Sequence, residues 1–528
     1  MSSHDDHKSS TEGAIEKSTS TNVEHLEKSH GTVVEFDDSI EDTKPSKSVW
    51  LITFTVAMGG FLFGYDTGVI SAVLVTIGGD LGHNLDSHEQ ELITSITSGG
   101  ALIGALMAGL PADKYGRKLG IYIGCFLFLV GSVVQAAAFN IAAMTAGRLI
   151  VGFGVGSAAM IIPLYIGELA PAKYRGRMIA FDNLSVTLGQ LVSYGLGAAL
   201  TDVPHGWRYM IAIGGVPPII LAALLPRCPE SPRQLIAHGK RDEAEQCLRR
   251  VYPAATEDQL KSKLERIIWT VEVESSVVAN KSLWWQFKQL HCVPSNLRAL
   301  ISACTVMASF NTLMYYSATL FSLVGFNKPT AVAIVVGATN FLFTFVNLVV
   351  IDKLGRRIIL LVTVLGMALS MVIAAVAFHW IPISKDLVLQ ADSVNWAGIV
   401  VLVTIIFYVA FFATGVATIG WVGTELLPLE VRALGTMMNT VTCWSCNLII
   451  ASTFLSMMKS MTPSGAFGFY AGICFFGWIF VIFFYPEVKG LPLEEVRKVF
   501  ENGFDVKLAK QMQRDLKASS QASAASKA

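Results

Sequence analysis

Between Trp50 and Tyr485 the chain carries one long apolar run after another, near residues 50–71, 91–110, 119–138, 141–165, 180–200 and 207–225, and again near 297–321, 331–351, 358–380, 395–420, 433–455 and 466–485. About 20 largely apolar residues cross a bilayer as a helix, the one open-ended structure that satisfies its own backbone polar groups where water is absent. The pattern is six runs, a polar break and six more. It predicts an all-α membrane protein with twelve transmembrane helices and excludes a simple water-soluble enzyme. Composition agrees, with 52% of residues hydrophobic and only 15% charged. The 40 Lys and Arg balance 40 Asp and Glu, so no net basic surface points to nucleic acid.

The polar parts set the organisation. Residues 1–48 are rich in Ser, Thr, Asp, Glu, His and Lys and lack an apolar signal-peptide core, which predicts a disordered hydrophilic tail. The break from Arg227 to Asn296 holds helical charge pairs and turn residues but no spanning run, as expected of a loop carrying short helices. The resulting division is a tail (1–48), a first six-helix bundle (49–226), a central loop (227–296), a second six-helix bundle (297–485) and a C-terminal tail (486–528). PADKYGRK at 111–118, APAKYRGR at 170–177 and DKLGRR at 352–357 all fall on one side of this arrangement, while the loop at 72–90 has no Lys or Arg. By the positive-inside rule that side is the cytosol, so both termini and the central loop are expected there, with the plasma membrane as the expected location.

Internal repetition supports two related halves. Glu168, Pro171 and Arg175 of ELAPAKYR recur 257 residues later as Glu425, Pro428 and Arg432 of ELLPLEVR, and PESPR at 229–233 recurs at the same displacement as PEVKG at 486–490. DKYGRK at 113–118 returns as DKLGRR at 352–357. Three pairs in the same order argue for a shared plan, and alternating access around a central site is a reason to be built that way. In these loops Asp113 and Asp352 can accept hydrogen bonds, the glycines permit tight turns, and Arg117 and Arg356 can grip a helix end or lipid headgroups. Glu168 with Arg175 or Arg177, and Glu425 with Arg432, are candidate ion pairs of a gate that closes the cytosolic side.

Polar residues inside the spans mark the candidate site, since burying them in lipid is costly without a partner or an aqueous cavity. Asp66 lies among glycines in GGFLFGYDTGVIS and serves either as a protonatable group or as a permanent structural partner, and Arg148 is a candidate ion-pair partner for a helix-borne acid. Asp182, Asn183 and Gln190 occupy the fifth span, Asn183 and Gln190 on one helical face. Asn311, Asn340, Asn447 and Trp421 place three amides and an indole in the second half. Amides both donate to and accept from hydroxyls, and an aromatic face packs on the C–H side of a ring, so the set suits a neutral polyhydroxylated solute. Phosphate esters suit it less, because no arginine cluster lies mid-span. Cys443 and Cys446 have CxxC spacing but sit in an apolar run, which favours helix packing over a redox or metal site. No GxSxG or HExxH motif is present, and no cofactor is expected.

These residues resemble the sugar-porter branch of the major facilitator superfamily over roughly residues 50–495. The motifs that carry the resemblance are GFLFGYDTGVIS, DKYGRK, Gly147-Arg148, PLYIGELAPAKYRGR, PESPR, NTLMYYSATLF, DKLGRR and PEVKGLPLEEV. The resemblance implies the major facilitator fold, twelve helices in two six-helix pseudosymmetric bundles. It implies a proton-coupling role for Asp66 and substrate contacts from Asn183, Asn311, Asn340, Trp421 and Asn447. The paired glutamines the family carries six and five residues before Asn311 are Thr305 and Val306 here. GQLVSYG at 189–195, the step from Trp421 to Glu425 and the PEVKG ending are similar to the fungal proton-coupled myo-inositol transporters. The expected function is symport of protons with myo-inositol or a related polyol. A hexose or pentose porter, an altered-specificity exporter and a transporter-like nutrient sensor are the alternatives. The expected partners are the solute, protons and membrane lipid, with the monomer as the working unit.

Overall fold

A computed structural model of the chain describes residue 40 and residues 46–279, 283–307, 312–384, 387–390, 394–422, 426–427, 431–488, 493–501 and 503–515. Apart from one isolated bridge between Ile383 and Leu389, the regular structure among them is helical. The first set of helices is α1 (Lys47–Thr76), α2 (Ser87–Tyr115), α3 (Arg117–Ala136), α4 (Ile141–Leu169), α5 (Ala172–Leu200), α6 (Gly206–Gly214) and α7 (Val216–Leu224). Four helices follow in the polar break: α8 (Pro232–Ala237), α9 (Arg241–Val251), α10 (Glu257–Ala279) and α11 (Leu283–Cys292). The second set is α12 (Pro294–Met307), α13 (Ser317–Val324), α14 (Pro329–Leu354), α15 (Arg356–Phe378), α16 (Trp396–Thr414), α17 (Val416–Val422) and α18 (Arg432–Phe484), with α19 (Leu493–Glu501) beyond it.

Nine helical stretches among the described residues are long and apolar enough to cross a membrane. One of them, α18, is two helices in one. Its 53 residues would reach ~80 Å if straight, but Thr462 has φ 66° and is followed by Pro463. The chain therefore folds back, bringing Phe454 against Phe467 and Tyr470. The apolar run at 297–321 is not one continuous helix: a 3-10 turn spans Thr312–Met314 after α12, and α13 starts only at Ser317.

Local chemistry sets the helix ends. Asp86 caps α2 by accepting from the Glu89 amide at 2.7 Å while Glu89 accepts from the Asp86 amide at 2.9 Å. Asn140 and Asn395 cap α4 and α16 through their side-chain oxygens. Between α1 and α2, Asp80 accepts from the Trp207 indole at 2.7 Å and contacts His205 at the same distance, which holds its carboxyl below the usual aspartate range.

Lipid gives helices no hydrophobic reason to associate, so close approach through small residues does much of the work. Gly60, Gly64 and Gly68 repeat every fourth residue on α1, where added Cβ atoms would fall 2.5 Å from Asp182 Oδ1, 1.7 Å from the Val186 carbonyl and 2.0 Å from Ser193 Oγ on α5. Gly100 and Gly104 of α2 meet α4 in the same way. Within the second set α15 packs on α16 and α18; the two sets meet where α2 packs on α18 and α5 on α14. Outward-facing apolar side chains such as Phe126 and Phe476, 65% and 73% exposed, suit contact with acyl chains.

Candidate functional site

Asp66 and Arg148 form a buried ion pair between α1 and α4. Arg148 Nη1 donates to Asp66 Oδ1 at 2.6 Å and Arg148 Nε donates to the Ile93 carbonyl of α2 at 3.2 Å. The residues are 6% and 0% exposed, so either charge without the other would stand in an apolar interior, where loss of one partner costs about 3–5 kcal/mol. The neighbouring Tyr65 hydroxyl donates to the Met210 carbonyl at 2.7 Å, fixing α1 against α6.

The amides lie where the two sets meet. Asn340 on α14 donates through Nδ2 to Gln190 Oε1 on α5 at 2.7 Å, and Asn183 on α5 donates to Thr418 Oγ1 on α17 at 3.1 Å. Asn447 on α18 is fully buried, and neither of its amide atoms has a hydrogen-bond partner among the described residues; Asn340 Oδ1 also has none. Buried amide atoms left unpaired are costly, and a polyhydroxylated solute supplies the donors and acceptors they lack. One turn before Asn447, Trp444 packs edge-on against Phe63 of α1 at 5.4 Å. Asn311 and Glu425 lie outside the described residues, as do the side chains of Asp113, Asp352, Trp421 and Arg432.

At the end of the molecule that carries α8 to α11, the candidate gate residues sort differently from the sequence expectation. Glu168 pairs with Arg117 of α3, in a two-point contact of 3.0 and 3.2 Å, rather than with Arg175 or Arg177. The latter two lie exposed in the first turns of α5, where the chain leaves the α4 terminus after Pro171 and carries them away from Glu168. Arg356 is half-buried at the start of α15.

Glu230 and Glu487 went unrecognised as sites from the sequence. Glu230 accepts from the Arg117 and Lys118 amides at 3.1 and 3.3 Å, closing the N-terminus of α3, and Glu487 accepts from the Arg357 amide at 2.9 Å at the start of α15. Gly116 and Gly355 precede these helices at φ 105° and 90°, and a Cβ on either would stand 2.7 or 2.5 Å from the capping carboxylate. Both demands require glycine. The signal was available: the Pro-Glu pair repeats at the same displacement as the ELAPAKYR motif. At the opposite end Glu91 on α2 is 2% exposed and accepts from the Ser456 amide at 2.7 Å and its hydroxyl at 2.5 Å on α18, while Thr201 and Thr330 join α5 to α14 at 2.9 Å.

The profile of the family described as "Sugar (and other) transporter" matches residues 52–500. The chain belongs to the sugar (and other) transporter family. Among curated relatives, Myo-inositol transporter 1 of Cryptococcus neoformans var. grubii is 45% identical over 482 residues, 90% of this chain and 85% of that protein. Myo-inositol transporter 1 of Saccharomyces cerevisiae is 41% identical over 469 residues, 87% of this chain and 80% of that protein. Among solved structures, the xylose transporter XylE from E. coli in a partially occluded inward-open conformation aligns with a TM-score of 0.70 at 26% identity, covering 85% of this chain and 100% of that one. The same transporter, described as a major facilitator superfamily proton:xylose symporter and bound to 6-bromo-6-deoxy-D-glucose, gives the same score over 86% of this chain and 99% of that one. The fold is thus an all-α, membrane-spanning major facilitator fold, and this sugar (and other) transporter family member is a secondary active transporter rather than an enzyme.

Proposed function

We propose that the protein imports myo-inositol or a closely related polyol together with protons, by alternating access across the plasma membrane. In this reading twelve helices form two six-helix bundles over 49–226 and 297–485, and both termini and the loop at 227–296 face the cytosol. The protein works as a monomer in contact with membrane lipid. The observation that carries the proposal is the Gln190–Asn340 hydrogen bond, which joins the two sets of helices through amides and leaves Asn340 Oδ1 and the whole Asn447 amide for a ligand. Several relatives that match over most of their length carry the name myo-inositol transporter, which supports inositol over hexose.

The chemistry follows from these groups. Asn183, Gln190, Asn340 and Asn447, with Asn311, exchange hydrogen bonds with ring hydroxyls, and Trp421 covers the C–H face. Solute binding competes with the Gln190–Asn340 and Asn183–Thr418 bonds, so occupancy changes how the halves hold together. Protonation of Asp66 removes its charge and frees Arg148 to turn toward other acceptors, which ties proton binding to the packing of α1 against α4. The Glu168–Arg117 and Glu230 contacts, with Asp113, Asp352, Arg356, Glu425 and Arg432, belong to the cytosolic closure.

Uptake of labelled myo-inositol in a transport-deficient host, competed by inositols, pentoses and hexoses, tests the reading. Uptake should rise as external pH falls from neutral toward about 5, and Asp66→Asn should keep exchange while losing uphill accumulation, with surface expression checked. Efficient glucose uptake with no inositol uptake would overturn the substrate. Accumulation by Asp66→Asn equal to the parent's would overturn the coupling role.

A further inference from the structure

Asp182 is a second carboxyl inside the first set of helices, and nothing in the transport chemistry above uses it. It is 8% exposed on α5, its Oδ1 has no hydrogen-bond partner, and that oxygen stands 2.5 Å from where a Cβ of Gly60 would be. Most titratable groups on neighbouring elements are already paired elsewhere. On α1, Asp66 pairs with Arg148 and Tyr65 donates to Met210; on α4, Arg148 gives Nη1 to Asp66 and Nε to the Ile93 carbonyl, leaving Nη2 without a partner among the described residues, Glu168 pairs with Arg117, and Tyr165 donates to the Pro229 carbonyl. On α14 the charged residues, Asp352 and Lys353, sit at its last turn, and α17 carries none. On α5 itself Arg175 and Arg177 are exposed near its start. The Asp182 carboxyl lies against the Gly60 backbone of α1.

A carboxylate without a cation in such surroundings is far more costly than a neutral acid. We propose that Asp182 is a second proton-binding site of the transport cycle, on the side of Asp66 nearer the end that carries α8 to α11. The inference rests on the transport reading for its role in the cycle, and on Asp182's own surroundings for its protonation. Asp182 faces Gly60, six residues before Asp66 on α1, a separation of about 9 Å along the helix. Its chain neighbour Asn183 makes the bond to Thr418 that holds α5 to α17. When that bond parts as the cytosolic side opens, water reaches the seam. The acid O–H bond then breaks, the proton passes to water, and a carboxylate remains until the site is reprotonated before the halves close again.

Infrared difference spectroscopy of the purified full chain, with H2O exchanged for D2O, tests this without a solute. The parent at pH 7 should show a protonated-carboxyl C=O band that shifts in D2O, is lost in Asp182→Asn and remains in Asp66→Asn. In vesicles the alkaline limb of inositol counterflow should move by at least about one pH unit in Asp182→Asn, a readout that a merely structural residue would leave in place. Absence of the band in the parent, its persistence in a monodisperse Asp182→Asn protein, or superimposable counterflow profiles would each overturn the proposal. If the parent moves no polyol, the transport reading fails, while the infrared result still decides whether Asp182 holds a proton.

Discussion

Thr305 turns its hydroxyl back on its own helix, donating to the Ile301 carbonyl at 2.7 Å, whereas the adjacent Val306 is buried in the apolar core at 5% exposure. By the family resemblance the two positions read as a matched replacement of paired glutamines. The structure separates them. Thr305 is half-buried, so Thr305→Gln can extend an amide from α12 and should strengthen hexose competition against labelled myo-inositol by about two- to tenfold, the worth of one hydrogen bond of ~0.5–1.5 kcal/mol. Val306→Gln places an amide among apolar side chains and should cost about 1–3 kcal/mol, read as a lower melting temperature and less protein at the surface. Equal effects of the two substitutions would contradict this assignment. The same contrast applies to the charged residues: Glu168 could be singled out from the sequence, but its partner could not, because Arg117 lies 51 positions away on another helix.

At the scale of elements, the α1–α5 seam depends on how closely two backbones approach. A methyl at Gly64 would lie 1.7 Å from the Val186 carbonyl, which belongs to a helix backbone and has little freedom to move. A methyl at Gly195, on the same helix as Val186, meets nothing within 4 Å. Gly64→Ala should therefore destabilise the protein and lower uptake, while Gly195→Ala should be neutral or stabilising by up to about 1 kcal/mol, since alanine is the better helix former. Thermal unfolding in detergent compares them directly, and a Gly64→Ala protein as stable as the parent would count against the seam as drawn. The glycines stand out in the sequence as close-packing candidates for α1, yet their partner helix does not, because nothing in local spacing says which helix faces which.

Over the whole molecule, the loop helices offer a native reporter of orientation. Cys292 at the end of α11 is exposed, whereas burial pushes the thiol of Cys247 in α9 up to about 12 and leaves it unreactive. A membrane-impermeant maleimide should label the protein at Cys292 only after cells are permeabilised, and Cys292→Ser should abolish that signal. Labelling of Cys292 in intact cells would reverse the orientation drawn from the loop arginines and lysines. The opposite end has its own closure in the Glu91–Ser456 and Thr201–Thr330 contacts, so the two ends are held by different chemistry.

The amino-acid sequence alone shows that the chain is helical and lives in a membrane, because apolar length and loop charge are local properties that lipid and water read segment by segment. It determined the repeated plan, since Pro-Glu, Glu-Arg and Asp-Lys-X-Gly-Arg motifs recur in order, and it placed Asp66, Arg148 and the amides on spans. The three-dimensional packing set which polar groups meet. The Asp66–Arg148 pair, the Gln190–Asn340 bond and the Arg117–Glu168 clasp join residues 82, 150 and 51 positions apart, and such pairings follow from helix rotation and crossing, which no run of neighbouring residues encodes. It likewise decided that Asp182, one residue from a candidate solute contact, faces a glycine on α1 with an oxygen unpaired, because a helical step of one residue turns a side chain by about 100° and so onto a different neighbour.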